Sequence, residues 1–148
     1  MMGDGTAAIY LIHLATTAFM TGLIWYVQIV HYPLFRLVGV ESFVSFVQTQ
    51  ARRTAWIVGP VMLAELATGL LLIFQHPPQF PAILLRVNLG FIGVIWLSTL
   101  LLQIPAHRRL HAERDSDTIR QLILSNWIRT ASWTIRLSLL FLGLSFFR

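Results

Sequence analysis

Two charged residues stand where charge is costly. Glu65 and Arg136 each fall about eleven residues into a long apolar stretch. A charge at the centre of a membrane helix costs ~2.5–3.5 kcal/mol on insertion scales, so the two are expected to meet and compensate one another. A paired carboxylate and guanidinium offers two kinds of chemistry: proton transfer by Glu65 as acid or base, and stabilisation of developing negative charge by Arg136. The same pair also serves the plainer purpose of a structural ion pair that fixes helix register.

Other polar residues recur at intervals of three or four, which stacks them on one side of a helix. The first apolar stretch carries His13, Thr17, Thr21, Trp25, Gln28 and Tyr32, with His31 beside that stripe. The second carries Arg53, Trp56, Pro60, Glu65 and Thr68; the third Asn88, Trp96, Thr99, Gln103 and His107; the fourth Asn126, Arg129, Trp133 and Arg136. His31 and His107 lie near one end of their stretches, where they can exchange protons with water, and join Glu65 and Arg136 as the catalytic candidates. Gln28, Arg53, Trp96, Gln103, Asn126, Arg129 and Trp133 are the candidates for holding a substrate or its head group. Their duller roles are helix capping, lipid-phosphate contacts and, for the tryptophans, core packing or interfacial anchoring.

A dedicated metal site is not expected. His13 and His31 are separated by ~27 Å at 1.5 Å per residue, and no HxxE or ExxH spacing occurs. His13 enters only as a single axial ligand if haem is bound, which leaves the cofactor open.

The elements that must position these residues are membrane helices. The 148-residue chain is 56% hydrophobic and 11% charged, with a mean hydropathy of +0.70. About twenty apolar residues cross a bilayer, and four stretches qualify, at approximately 7–31, 54–74, 84–104 and 127–147. Pro33, the Pro77–Pro78 pair and Pro105 mark the exits of the first three. Val38 to Gln50 reads as an amphipathic interfacial helix and Ala112 to Ser125 as a short solvated one capped by Asp117. Since lipid cannot satisfy four polar stripes, the expected fold is an all-α antiparallel four-transmembrane-helix bundle with a polar interior.

Charge sets the expected orientation. All eleven basic residues are arginine; Arg36, Arg52, Arg53, Arg108, Arg109, Arg114 and Arg120 fall in the first and third connections, against Arg86 and Arg148 on the other side. The positive-inside rule then puts those connections in the cytoplasm and both termini in the periplasm of a bacterial inner membrane. No removable leader is expected, because the N-terminus lacks a basic region before an overlong apolar stretch. The absence of cysteine excludes disulfides, zinc ribbons and iron–sulfur clusters. Arginines at the ends of apolar stretches do not make the basic face of a nucleic-acid binder. No phosphate loop, dinucleotide-binding glycine pattern or nucleophile elbow is present.

The stretches HLATTAFMTGLIWYVQIVHYPLF, RRTAWIVGPVMLAE, VIWLSTLLLQIPAHRRL and NWIRTASWTIR resemble those of a group of small, uncharacterised four-helix bacterial membrane proteins, which implies the same architecture over nearly the whole chain. A weaker similarity is to HemJ-type protoporphyrinogen oxidases, in His13, Gly22, Leu23 and His31 of the first helix, although no lysine matches that family's functional lysine. Two function classes follow. One is an oxidoreductase or isomerase acting on a lipophilic or amphipathic small molecule. The other is a noncatalytic membrane subunit or haem- or lipid-binding protein, its partners the bilayer, further copies of itself or a membrane complex.

Overall fold

In the computed structural model, which describes residues 4–76 and 80–147, the protein is all-α. Pro77, Pro78 and Arg148 lie outside the described residues. Helix α1 spans Asp4–Tyr26 and continues through a π-helical turn, Val27–His31, into the short α2, Tyr32–Leu34. Helix α3 spans Val40–Phe74. Helix α4, Ala82–Ser98, continues through a second π-helical turn, Thr99–Gln103, into α5, Ile104–Leu110. Helix α6 spans Ser116–Leu144.

Several boundaries differ from those expected, each for a local reason. Pro33 and Pro105 do not end their helices. Each sits in the first turn of the helix that follows a π turn, where a missing N–H costs little. The interfacial helix expected over Val38–Gln50 is not separate but forms the first part of α3, which runs unbroken through Arg52, Arg53 and Pro60. At 1.5 Å per residue α3 is about 50 Å long, against a hydrocarbon core of about 30 Å, so one helix supplies both an amphipathic part and an apolar part. The short helix expected over Ala112–Ser125 is likewise the start of α6. Its cap is Asp115 rather than Asp117: the Asp115 carboxylate accepts from the Thr118 hydroxyl, from Thr118 N at 3.0 Å and from Asp117 N at 3.2 Å. Those hydrogen bonds, the Thr118 side chain's first, hold the Asp115 carboxyl below the usual carboxylate range.

Among the described residues three continuous helical stretches are long and apolar enough to cross a membrane: Gly5–Leu37, Val40–Phe74 and Ala82–Leu110. Helix α6 is not among them, since Arg120, Arg129, Arg136 and a series of hydroxyl residues dilute its apolar side chains. Those hydroxyls are locally satisfied. Thr130, Ser132, Thr134 and Ser138 each donate to the carbonyl four residues earlier, as Thr21, Thr68 and Thr99 do elsewhere.

Helices α1 and α6 run in opposite directions. The Tyr10 hydroxyl donates to Leu140 O at 2.6 Å, Thr21 Oγ1 to Trp133 O at 3.2 Å, and Gln28 Nε2 to Ile123 O at 3.1 Å. Helix α6 packs on both α1 and α4, while α3 packs on α1 and α4 from the other side. The apolar core is in two parts. Tyr10, Leu72, Phe80, Leu85 and Leu140 close one end. The larger part starts at Met20, Ile24, Met62, Ile95 and Trp133 and extends to Phe35, Phe43, Val47, Leu110, Ile119 and Leu122 at the arginine-rich end. Between the two parts lies a layer of buried polar side chains.

Close packing at that layer and at the apolar end depends on glycine. A Cβ on Gly69 of α3 would come within 2.9 Å of Ile92 Cδ1 and 3.3 Å of His13 Cε1, and one on Gly143 of α6 would collide with the ring of Phe80.

Candidate functional site

Polar residues of the interior fall into two groups with opposite character. The first surrounds Glu65 and Arg136, both almost fully buried, whose Oε1 and Nη1 meet at 2.8 Å. The Trp133 indole N–H also donates to Glu65, at 3.0 Å from Oε2 and 3.2 Å from Oε1. Arg136 Nε donates to Asn88 Oδ1 at 3.1 Å and Nη2 to Thr17 Oγ1 at 3.2 Å, while Asn88 Nδ2 donates back to Arg136 O. His13 completes the group, with Nδ1 2.7 Å from Thr68 Oγ1 and Nε2 3.3 Å from Asn88 Oδ1 and 3.5 Å from Arg136 Nη2. Side chains from four helices thus spend their hydrogen bonds on one another. Neither ring nitrogen of His13 is open to an axial metal bond, and Glu65 and Arg136 do not line the cavity described next.

The second group does line a cavity, of about 420 Å³, between α1, α3, the α4–α5 junction and α6. That size lies within the range of about 300–1,000 Å³ typical of small-molecule sites. Its walls change character along their length. Met20, Leu23, Ile24, Val27 and Val58 form an apolar inner part, and His31, Tyr32, Gln50, Gln103, His107, His111 and Arg129 form the end nearer the arginine-rich surface. Four buried atoms at that polar end have no protein hydrogen-bond partner, Gln103 Oε1, His107 Nδ1, His111 Nε2 and Arg129 Nε, while the His31 and Gln50 side chains there bond to one another. Buried polar atoms are ordinarily satisfied, so such a concentration around one cavity sets this group apart from the closed network around Glu65 and Arg136.

The two π-helical turns border this cavity. Val27–His31 ends on one cavity residue and Thr99–Gln103 on another. A π turn holds one residue more than an α-helical turn, widens the backbone and breaks the facing of side chains, and such turns concentrate at functional sites. Across the cavity from α1, Ala51 and Ala55 of α3 present side chains too small to fill the gap.

Tyr32 links the polar groups. Its hydroxyl lies 3.3 Å from His107 Nε2 and faces Arg129. The Arg129 guanidinium also lies over the Trp133 ring at 5.2 Å and donates to Asn126 Oδ1 at 3.3 Å. Gln103 Nε2 donates to Ser125 Oγ and Gln50 Nε2 to Thr54 Oγ1, which turns both amide oxygens towards the cavity. His31 packs edge-on to Phe35.

Of the residues selected from sequence, His31, Gln103, His107 and Arg129 therefore come together at the cavity. Gln28 and Asn126 lie behind it: Gln28 Oε1 accepts from Asn126 Nδ2 at 2.9 Å and from Thr130 Oγ1, which braces α1 against α6. Trp133 belongs to the Glu65 group and Trp96 packs against the core without lining the cavity. Arg53 is exposed, beside a shallow depression bounded by Phe46, Thr49 and Gln50. Sequence reasoning missed Gln50, His111 and Arg108 as lining residues. Gln50 lies one helical turn before Thr54, and His111 one turn after His107, so continuous helices there would have revealed both. Among the described residues no three histidine or carboxylate groups converge to hold a metal ion.

No family model matches the chain, and no curated protein and no solved structure is significantly similar to it.

Proposed function

We propose that this is an integral membrane protein whose cavity binds a lipophilic or amphipathic small molecule, polar head towards His31, His107 and Arg129 and apolar body towards Met20, Ile24 and Val58. The single observation that carries this reading is the set of four buried, unpartnered polar atoms around one cavity with an apolar inner end. In this reading the chemistry is acid–base work on the head group, of the kind an isomerase or oxidoreductase performs. His107 Nδ1 faces the ligand as a proton donor or acceptor, His31 stands at the same end beside Gln50, Tyr32 connects His107 to Arg129, and Arg129 steadies negative charge. Glu65 and Arg136 act one layer away, holding the four helices in register.

The proposed setting is a bundle of four antiparallel spans in a bacterial inner membrane, arginine-rich end in the cytoplasm and both termini periplasmic. For α6 as the fourth span, the support is its facing. Arg129, Arg136, Asn126 and Ser132 are buried, whereas Leu124, Ile128, Ile135, Phe141 and Leu142 are exposed, so its lipid-directed face is apolar although the whole helix is not.

A noncatalytic reading rests on a different observation, the closed hydrogen-bonding of Glu65, Arg136 and His13, which leaves the midplane charges no reactant. Here the protein is a subunit of a larger complex, and the cavity holds a lipid, or a haem through an open histidine nitrogen. One experiment addresses both readings: native mass spectrometry and an absorption spectrum of the protein in mild detergent, beside an Ala55→Trp variant whose indole fills the cavity. The binding reading expects a retained small molecule in the parent protein, absent from the variant. A Soret band would select haem, and equal retention by both proteins would refute the cavity as the site.

A further inference from the structure

We infer that the cavity ligand carries an anionic head, a phosphate or a carboxylate, and that Arg129 is its counter-charge. This deepens the binding reading above and depends on it. Charge inventory is the first ground. The residues lining the cavity include two arginines and three histidines and no carboxylate.

Arg129 itself is the second. It is only 7% exposed, and among the described residues the ion pair formed is Arg136 with Glu65, so no acid neutralises it. Its contacts are an amide oxygen at 3.3 Å, a tyrosine hydroxyl and the face of an indole, each of which steadies a guanidinium without cancelling its charge. One of its donors, Nε, has no protein partner. Arg136 shows how this fold treats a buried guanidinium that has finished its work: a carboxylate at 2.8 Å and further acceptors on Nε and Nη2. Arg129 lacks the carboxylate, and a planar fork of donors matches the oxygens of a phosphate or carboxylate.

Position supplies the third ground. Arg108, exposed at the cavity rim, adds a second positive charge on the approach, while Met20, Leu23 and Val58 at the other end offer nothing to an ion. A free anion would use only the polar end; an anionic amphiphile uses the whole cavity.

The test compares dodecyl phosphate, dodecanol and inorganic phosphate by titration calorimetry in a nonionic detergent, on the parent protein, Arg129→Gln and Arg129→Lys. Dodecyl phosphate is expected to bind the parent about tenfold or more tightly than dodecanol, the worth of a charge-assisted hydrogen bond. Arg129→Gln should abolish that ratio, with helical circular dichroism reporting that the variant is folded, and Arg129→Lys should retain a preference for the anion. Equal affinity of the parent for dodecyl phosphate and dodecanol, or an unchanged ratio in Arg129→Gln, overturns the anionic assignment and leaves the cavity reading standing. Should neither chain-bearing compound bind, the cavity reading falls and the assignment with it. Inorganic phosphate binding as tightly as dodecyl phosphate overturns the amphiphile and points to a free anion.

Discussion

Removing Glu65 and Arg136 together should cost less than the sum of removing each alone. Each is buried, their contact is 2.8 Å, and each has neutral partners besides: Trp133 for the carboxylate, Asn88 and Thr17 for the guanidinium. Glu65→Gln keeps an oxygen for Trp133 but strips Arg136 of its counter-charge, and an uncompensated buried charge costs ~3–5 kcal/mol. Glu65→Leu should cost ~1–3 kcal/mol more, because the Trp133 N–H is then orphaned as well. Arg136→Met leaves the carboxylate with only the indole and should fall in the same range as Glu65→Gln. The double variant Glu65→Leu, Arg136→Met buries no charge, and what remains is the orphaned Trp133, Asn88 and Thr17 groups. Its loss should therefore be smaller than the sum of the single losses by about 2 kcal/mol, within the range of coupling energies found for residues in contact. Reversible unfolding in mixed micelles, followed by helical circular dichroism, gives all four corners of the cycle. Losses that add to within ~0.5 kcal/mol would refute the pairing as the reason these charges are tolerated.

Three further outcomes follow from the same geometry. Gly143→Ala should destabilise the protein by about 1–3 kcal/mol, because its Cβ displaces the buried Phe80 ring that packs on Tyr10; an unchanged unfolding midpoint would contradict that packing. The Asp115 cap should loosen in acid. Its carboxyl titrates below the usual range when folded, so its contribution is present above the unfolded-state value and is lost as pH falls through the lower folded-state value, seen as faster amide exchange at Asp117 and Thr118; Asp115→Ala should show that exchange already at neutral pH. Deleting Ile29 from the first π turn removes that turn's surplus residue and should be tolerated better than deleting Leu11 from regular α1, which rotates the residues beyond it by about 100°. The Ile29 deletion should nevertheless lose ligand retention, and full retention would show that the π turn does not shape the cavity.

Apolar stretches and polar spacing made much of this fold legible. The placement of Glu65 and Arg136 at similar depth anticipates their contact, and the stripe from His13 to Tyr32 is buried in large part, with Trp25 an exception at 40% exposure. Helix continuity was harder to read. Prolines at 33 and 105 look like exits, yet follow π turns in which the backbone has already widened, and no residue pattern announces a π turn. Reading Val38–Gln50 as separate from the span beyond it disconnected Gln50 from Thr54 and so hid one wall of the cavity. The closed polar layer and the open one also look alike in sequence. Both are built from His, Arg, Asn or Gln at helical spacing; what divides them is whether the facing helix offers a partner, as Thr68 does for His13, or leaves a gap, as Ala51 and Ala55 do opposite His31.

The most direct measurement is the imidazole ¹⁵N spectrum of histidine-labelled protein during titration with dodecyl phosphate. The chain's five histidines sample each environment: His31, His107 and His111 line the cavity, His13 sits in the closed network, and His76 is exposed beyond α3. The account predicts that the His31 and His107 signals shift saturably together, while His13 and His76 stay fixed. Movement of His13 with the cavity histidines unmoved, or no saturable shift at all, would contradict it.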